Sequence, residues 1–281
     1  METGENKLFV LQSESFNIAL SSNYHLSIQI GITHFSYCLL NTNTFSYEYV
    51  RKYSISSLED NAGELSEIIT NDAIIRTKFS SESVAFLNPP STLVPTTLYK
   101  KEDAEELLSF NTEIHGKVLV DNILSQGAHL IYSVPKKIID IISNFFPNAK
   151  QKAQETILIQ QYSQLNTNED KAYVYLNEKK AGITIFKRNK LIFNNTFEYL
   201  TKEDLLYFVL FSLEQLKLSP EHIEVILFGT IEEEDEFFNL LYEYIRNIKL
   251  GKRPHQFNFP TEFDPLAQHK YFGLFTQVLC V

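Results

Sequence analysis

Tryptophan is absent from this chain, methionine occurs once and cysteine twice. Cys38 sits in an apolar run and Cys280 lies far along the chain, so the pair makes neither a disulfide framework nor a metal knuckle. Seven histidines are scattered, and none follows the His-Glu-x-x-His spacing that holds zinc on a helix. No apolar run reaches the ~18 residues needed to cross a bilayer. The polar, acidic stretch from Met1 to Lys7 lacks the basic start and apolar core of a secretory leader. These absences predict a cytoplasmic protein without membrane insertion and without a metal site. Clustered positive charge is missing too. The net charge is −10, and pairs such as Lys136-Lys137, Lys179-Lys180 and Lys252-Arg253 stay isolated. Phosphate neutralisation needs a continuous basic surface, so no nucleic-acid partner is expected. A Gly-x-Ser-x-Gly elbow, a P-loop and a dinucleotide fingerprint are likewise absent.

What is present is apolar material and repetition. The chain has 281 residues, 44% of them hydrophobic, enough for one large domain or two of about half that length. From His25 to Tyr53 the pattern reads strand, tight turn, strand, polar turn, strand. From Lys171 to Tyr199 it recurs, and the polar turns Asn41-Thr42-Asn43 and Lys187-Arg188-Asn189 set the two copies 189 − 43 = 146 positions apart. Leu26-Ser27-Ile28-Gln29-Ile30 alternates as a half-buried strand should. Ser57 to Thr70 reads as a helix with Leu58, Leu65, Ile68 and Ile69 on its buried side. Between the copies, the spacing predicts strands over Val84 to Leu87, Val118 to Ile123 and His129 to Val134. An ordered loop or edge segment, rather than a linker, is expected over Pro89 to Pro95, and a helix after Pro135. After the second copy, Thr201 caps a helix to about Leu216. Ile223 to Phe228 is then a strand ending at Gly229, and an acidic run opens another helix. The order is β-β-β-α-β-α, and the first copy follows it with insertions.

Three antiparallel strands followed by alternating helices and strands resemble the ribonuclease-H-like module. Two in tandem resemble the actin-like ATPase architecture, and more closely an uncharacterised bacterial family with that fold. Leu191 to Tyr199, continuing through Glu203-Asp204-Leu205-Leu206-Tyr207, carries the nearest likeness. A more distant one is to the actin-like proteins of pilus-assembly and secretion platforms. The resemblance implies an α/β fold of duplicated ribonuclease-H-like domains, with residues 1–165 as the first half, 166–281 as the second, and a cleft between them.

The resemblance also says where nucleotide chemistry belongs. An actin-like ATPase offers each hairpin tip to the phosphates, with an acid to organise hydrated Mg²⁺ and a glycine for close backbone approach. The first tip is Gln29-Ile30-Gly31-Ile32-Thr33-His34, where Gln29 stands in the acidic position and supplies no charge. The second is Asn177-Glu178-Lys179-Lys180-Ala181-Gly182, where Asn177 replaces the acid and lysines replace the glycine. A third contact, the glycine-bearing turn against the nucleoside, matches Leu227-Phe228-Gly229-Thr230. The acids Glu232 to Glu236 behind it are explained as complements to a helix dipole. The candidate cleft residues are therefore Gly31, Thr33, Asn177, Gly229 and Thr230, with no catalytic residue among them and ATP or ADP as the candidate ligand. The leading expectation is a degenerate actin-like protein that acts as a non-catalytic binding or scaffold module with a protein partner. The alternative is an ATPase or sugar-kinase-like phosphotransferase with atypical site residues.

Overall fold

The computed structural model describes residues 9–56, 62–166 and 168–280. Its elements are β1 (Phe9–Gln12), β2 (Tyr24–Ile30), β3 (His34–Asn41), β4 (Ser46–Ser54), α1 (Ala62–Asn71) and β5 (Ser81–Phe86). Then come β6 (Ser91–Pro95), α2 (Ala104–Ser109), β7 (Lys117–Ile123), β8 (Ala128–Val134), α3 (Lys136–Phe145), β9 (Lys150–Ala153) and α4 (Gln154–Leu165). The remainder is β10 (Lys171–Asn177), β11 (Lys180–Lys187), β12 (Lys190–Glu198), α5 (Lys202–Gln215), β13 (Glu224–Gly229), α6 (Glu236–Tyr244), β14 (Asn247–Leu250) and α7 (Phe272–Thr276).

The duplicated order is present. One sheet runs β1-β4-β3-β2-β5-β9 and the other β12-β11-β10-β13-β14. In each, a three-stranded antiparallel meander meets a strand parallel to its first member, β2 with β5 and β10 with β13. The offset holds at the residue level, since β3 and β11 start and end 146 positions apart (180 − 34 and 187 − 41). Between β5 and α3 the first half carries an insertion, a small antiparallel sheet β6-β8-β7 with α2 against it. The segment after Pro89-Pro90 is the edge strand β6 of that sheet, with its one proline, Pro95, at the last position.

The local reasons are those of the sequence. Thr201 Oγ1 accepts the Asp204 N–H at 3.1 Å while the Asp204 carboxylate accepts the Thr201 N–H at 3.0 Å, a reciprocal cap on α5. Thr201→Ala is expected to cost about 1 kcal/mol, readable as a lowered urea midpoint at an unchanged slope; an unchanged midpoint would remove the cap's role. In α3, Ile138, Ile139 and Ile142 are buried, while Ile141 is only half-buried. The predicted helix from Ser57 is seen from Ala62; Leu58 lies outside the described residues.

One expectation changes. β2 was expected to be half-buried, but all seven of its residues are buried. The far side of the first-half sheet is covered by the C-terminal stretch, whose Phe257, Phe263, Leu274 and Phe275 pack on Cys38, Leu40, Tyr47 and Val50. Gln277 seals the contact, its Nε2 donating to Ile28 O at 3.1 Å and to Ser83 Oγ at 2.8 Å. The polar residues of the alternation therefore face protein rather than water. α4 joins the halves. Tyr162 stacks on Tyr173 with ring centroids 4.2 Å apart, and Phe228 and Phe272 flank it at 5.5 and 5.9 Å. Such stacked rings add modestly to the burial that already favours the contact.

Candidate functional site

The two hairpin tips face each other, and one fills the other. β10 and β11 are joined by the two-residue turn Glu178-Lys179, closed by the pair Asn177 and Lys180. Both turn residues are left-handed, at φ 51° and 60°. That geometry matches the twist of the flanking strands but suits glycine or asparagine better. The strain has a compensation. The turn projects the Glu178 carboxylate into the first hairpin's tip, where it accepts the Ile32 N–H at 3.1 Å, the Thr33 N–H at 2.6 Å and the Thr33 hydroxyl at 2.8 Å. His34 Nδ1 lies 2.9 Å from the same carboxylate. Burial pushes Glu178 up, but the hydrogen bond and charge of His34, together with Thr33, outweigh it and bring the carboxyl down to about 2.

Gly31 packs directly against this carboxylate. A Cβ there would lie 2.6 Å from Glu178 Oε1 and 2.8 Å from Oε2. Consecutive N–H groups in a turn are an anion-receiving device, and here the anion belongs to the protein. Gly31 and Thr33, two of the five candidate cleft residues, thus meet Glu178. The missed residue was the acid one position beyond Asn177, and its separation of 146 from Ile32 was readable as the repeat offset.

The other three candidates come together elsewhere. Asn177, Gly229 and Thr230 line a cavity of about 190 Å³ between the halves, with Gln29, Lys52 and Lys270 among its other walls. It lies beyond the carboxyl ends of the parallel strands β10 and β13, the usual ligand position in such sheets. Gly229 is required sterically: its φ is +90° and a Cβ would come within 2.1 Å of Leu176 O. The Thr230 N–H donates to the same carbonyl at 2.8 Å. Gln29 is buried at 3% exposure, and its Nε2 has no partner among the described residues. The acidic run behind Gly229 does not point as one block into the cavity. Asp235 caps α6 by accepting the Phe238 N–H at 2.6 Å, and Glu232 pairs with Lys270.

The head of α4 carries a second buried acid. Asp121 Oδ2 accepts the Ala153 N–H and the Thr156 hydroxyl, each at 2.8 Å. Next to them Glu155 is 6% exposed, and among the described residues no other residue's donor reaches either carboxylate oxygen. Burial pushes Glu155 up to about 8, its own N–H and Lys180 offsetting only part of the effect. Among the described residues no group of three or more His, Cys, Asp or Glu side chains is placed to hold a metal ion.

The model of the protein family of unknown function DUF3822 matches residues 13–248. The chain belongs to the DUF3822 family. No curated protein matches it. Among solved structures, this DUF3822 chain is similar to a Bacteroides thetaiotaomicron protein with an actin-like ATPase fold and unknown function. Their TM-score is 0.77 at 22% identity, over 89% of this chain and 98% of that one. It is similar to a chain of the PilM–PilN type IV pilus biogenesis complex at a TM-score of 0.58 and 11% identity, over 91% and 98% of the two chains. It is also similar to the ethanolamine utilization protein EutJ from Carboxydothermus hydrogenoformans, at 0.51 and 10%, over 91% and 89%. The fold of this DUF3822 protein is therefore actin-like, two ribonuclease-H-like halves in tandem.

Proposed function

We propose that this protein is a non-catalytic actin-like module that works by binding a protein partner. The single observation that carries the reading is the occupancy of the first phosphate-facing turn by Glu178, through three donors and His34. A nucleotide phosphate entering that turn would have to displace a carboxylate whose own donors hold it ionised. Two further features agree. Gln29 and Asn177 stand where an acid would hold the hydrated metal, and phosphoryl transfer without charge neutralisation is slow. The 190 Å³ cavity is also smaller than the roughly 300–1,000 Å³ that enclose larger organic ligands.

A binding role is motivated by the fold's appearance in the PilM–PilN complex, and the same reading takes residues 1–165 and 166–281 as its two halves. Among the described residues no helix is long and apolar enough to cross a membrane, and we place the protein in the cytoplasm. A second reading, nucleotide binding at an atypical site, draws on the convergence of Asn177, Gly229 and Thr230 on one cavity. Phosphate release from ATP with and without Mg²⁺ separates the two. The expected rate is that of the buffer control, and Mg²⁺-dependent turnover abolished by Gly229→Val would decide for the second reading.

A further inference from the structure

Lys52 is the odd charge of the cleft. It lies on β4, directly across from Ser36 on β3, and both residues line the cavity between the halves. The other charges around that cavity are balanced locally. Lys270 is paired with Glu232, and Glu178 is held by the first hairpin's turn and by His34. Among the described residues, no carboxylate or other hydrogen-bonding partner meets the Lys52 ammonium. Burial and the neighbouring Lys270 both push it down, with Glu178 opposing them. A lysine placed in such surroundings costs free energy unless an anion joins it.

The rest of the lining is short of partners in the same way. Ser36 and Asn177 line it with no hydrogen bond from either side chain within the described residues, and Gln29 Nε2 is buried there without a partner among the described residues. Thr230 donates its hydroxyl to Leu176 O at 3.1 Å, which leaves its oxygen lone pairs toward other donors. Buried polar groups without protein partners are uncommon in folded chains and call for a ligand or ordered water. The space limits what that ligand is. About 190 Å³ corresponds to roughly six water volumes at ~30 Å³ each, room for a handful of heavy atoms.

We propose that the cavity between the halves is a binding site for a small oxyanion, inorganic phosphate or a short carboxylate, held by Lys52 with Ser36 and Asn177. The site is separate from the Gly31 turn, whose anion is Glu178. It rests on the reading of the cleft as non-catalytic, and it supplies that cleft with an occupant of its own. Neutralising the Lys52 charge also gives the ligand a structural effect: it ties β4 of the first half to β10 of the second.

The test is calorimetric titration of the intact protein with inorganic phosphate and, separately, with malonate. Wild-type protein is expected to bind at least one of them saturably, and the tighter of the two identifies the geometry the site prefers. Lys52→Met is expected to weaken that binding by about tenfold or more, the loss of one charge-assisted contact. Asn177→Ala is expected to weaken it less. Thermal unfolding of both variants without ligand checks that they fold. Absence of saturable binding of either anion by the wild type, or binding unchanged in a folded Lys52→Met protein, overturns the site while leaving the non-catalytic reading intact. A parallel titration with MgATP that shows turnover overturns that reading instead, whatever the phosphate result.

Discussion

Replacing Glu178 with alanine is expected to lower stability at neutral pH by up to about 3 kcal/mol, with the loss shrinking as the solution is acidified. The folded carboxyl is held near 2, below the ~4.5 or so of an unfolded glutamate, so ionised Glu178 favours the folded state. That contribution is fully present above about pH 4.5 and disappears as pH falls through about 2. The figure follows from the pKa difference at about 1.4 kcal/mol per unit, and the side chain is only 5% exposed, so solvent screening takes little from it. Glu178→Gln keeps the shape but has one acceptor oxygen in place of two and loses the charge, and should fall between alanine and wild type. Denaturant unfolding at neutral pH and at several acid values measures all three proteins. Equal stabilities at neutral pH would mean that the contact between the two tips contributes nothing. Gly31→Ala should mimic the alanine variant from the other side, because the added carbon lies within contact distance of the same carboxylate.

The opposite sign is expected at Glu155. Its folded carboxyl sits near 8, so burial favours the protonated form. No penalty exists below about pH 4.5, where the acid is protonated folded and unfolded alike; it grows from there to about pH 8 and is constant above. Glu155→Gln replaces a neutral acid with a neutral amide of nearly the same size, and removes that pH dependence. The gain is expected to be on the order of 3 kcal/mol at neutral pH and larger above about pH 8. The measurement is the urea midpoint of both proteins from about pH 4 to about pH 8, the interval over which the difference develops. The account requires the two curves to diverge as pH rises; parallel curves would show that Glu155 finds a partner or water that leaves it ionised at no cost. A buried acid carried at such a cost is a strain that evolution tolerates most often near functional elements, and Glu155 opens the helix that joins the halves.

Much of the fold was legible in the sequence, because the signals are local. Period-two alternation marks β2, and the recurring strand-turn-strand pattern marks its partners. The Thr201 cap marks the start of α5, and the constant offset between the copies links the halves. The complete burial of β2 was not legible, since it depends on a C-terminal segment more than 200 residues away covering Ser27 and Gln29. Periodicity along one strand carries no information about what lies across its second face. Helix α4 was missed for a related reason. It is buried nearly all round, including Gln154, Glu155 and Thr156, and such a helix has no polar face to give a period.

The site was legible in part. Asn177, Gly229 and Thr230 do share one cavity, as the architecture implied. Gly31 and Thr33 lie in the turn between β2 and β3, but their neighbour was unforeseen. A Glu-Lys pair in a hairpin turn reads as solvated charge, and only the docking of one repeat on the other turns it inward. Lys52 escaped notice as well, because a lysine on an alternating strand ordinarily points to water.

On the proposed reading, the first hairpin's anion-receiving turn is filled by the protein's own carboxylate and takes no nucleotide phosphate. A crystal structure of the protein grown with an excess of MgATP tests it most directly. The account expects Glu178 Oε1 and Oε2 to remain on the Ile32 and Thr33 N–H groups, with no nucleotide phosphate at that turn. A phosphate on those N–H groups, with Glu178 swung away, would contradict it.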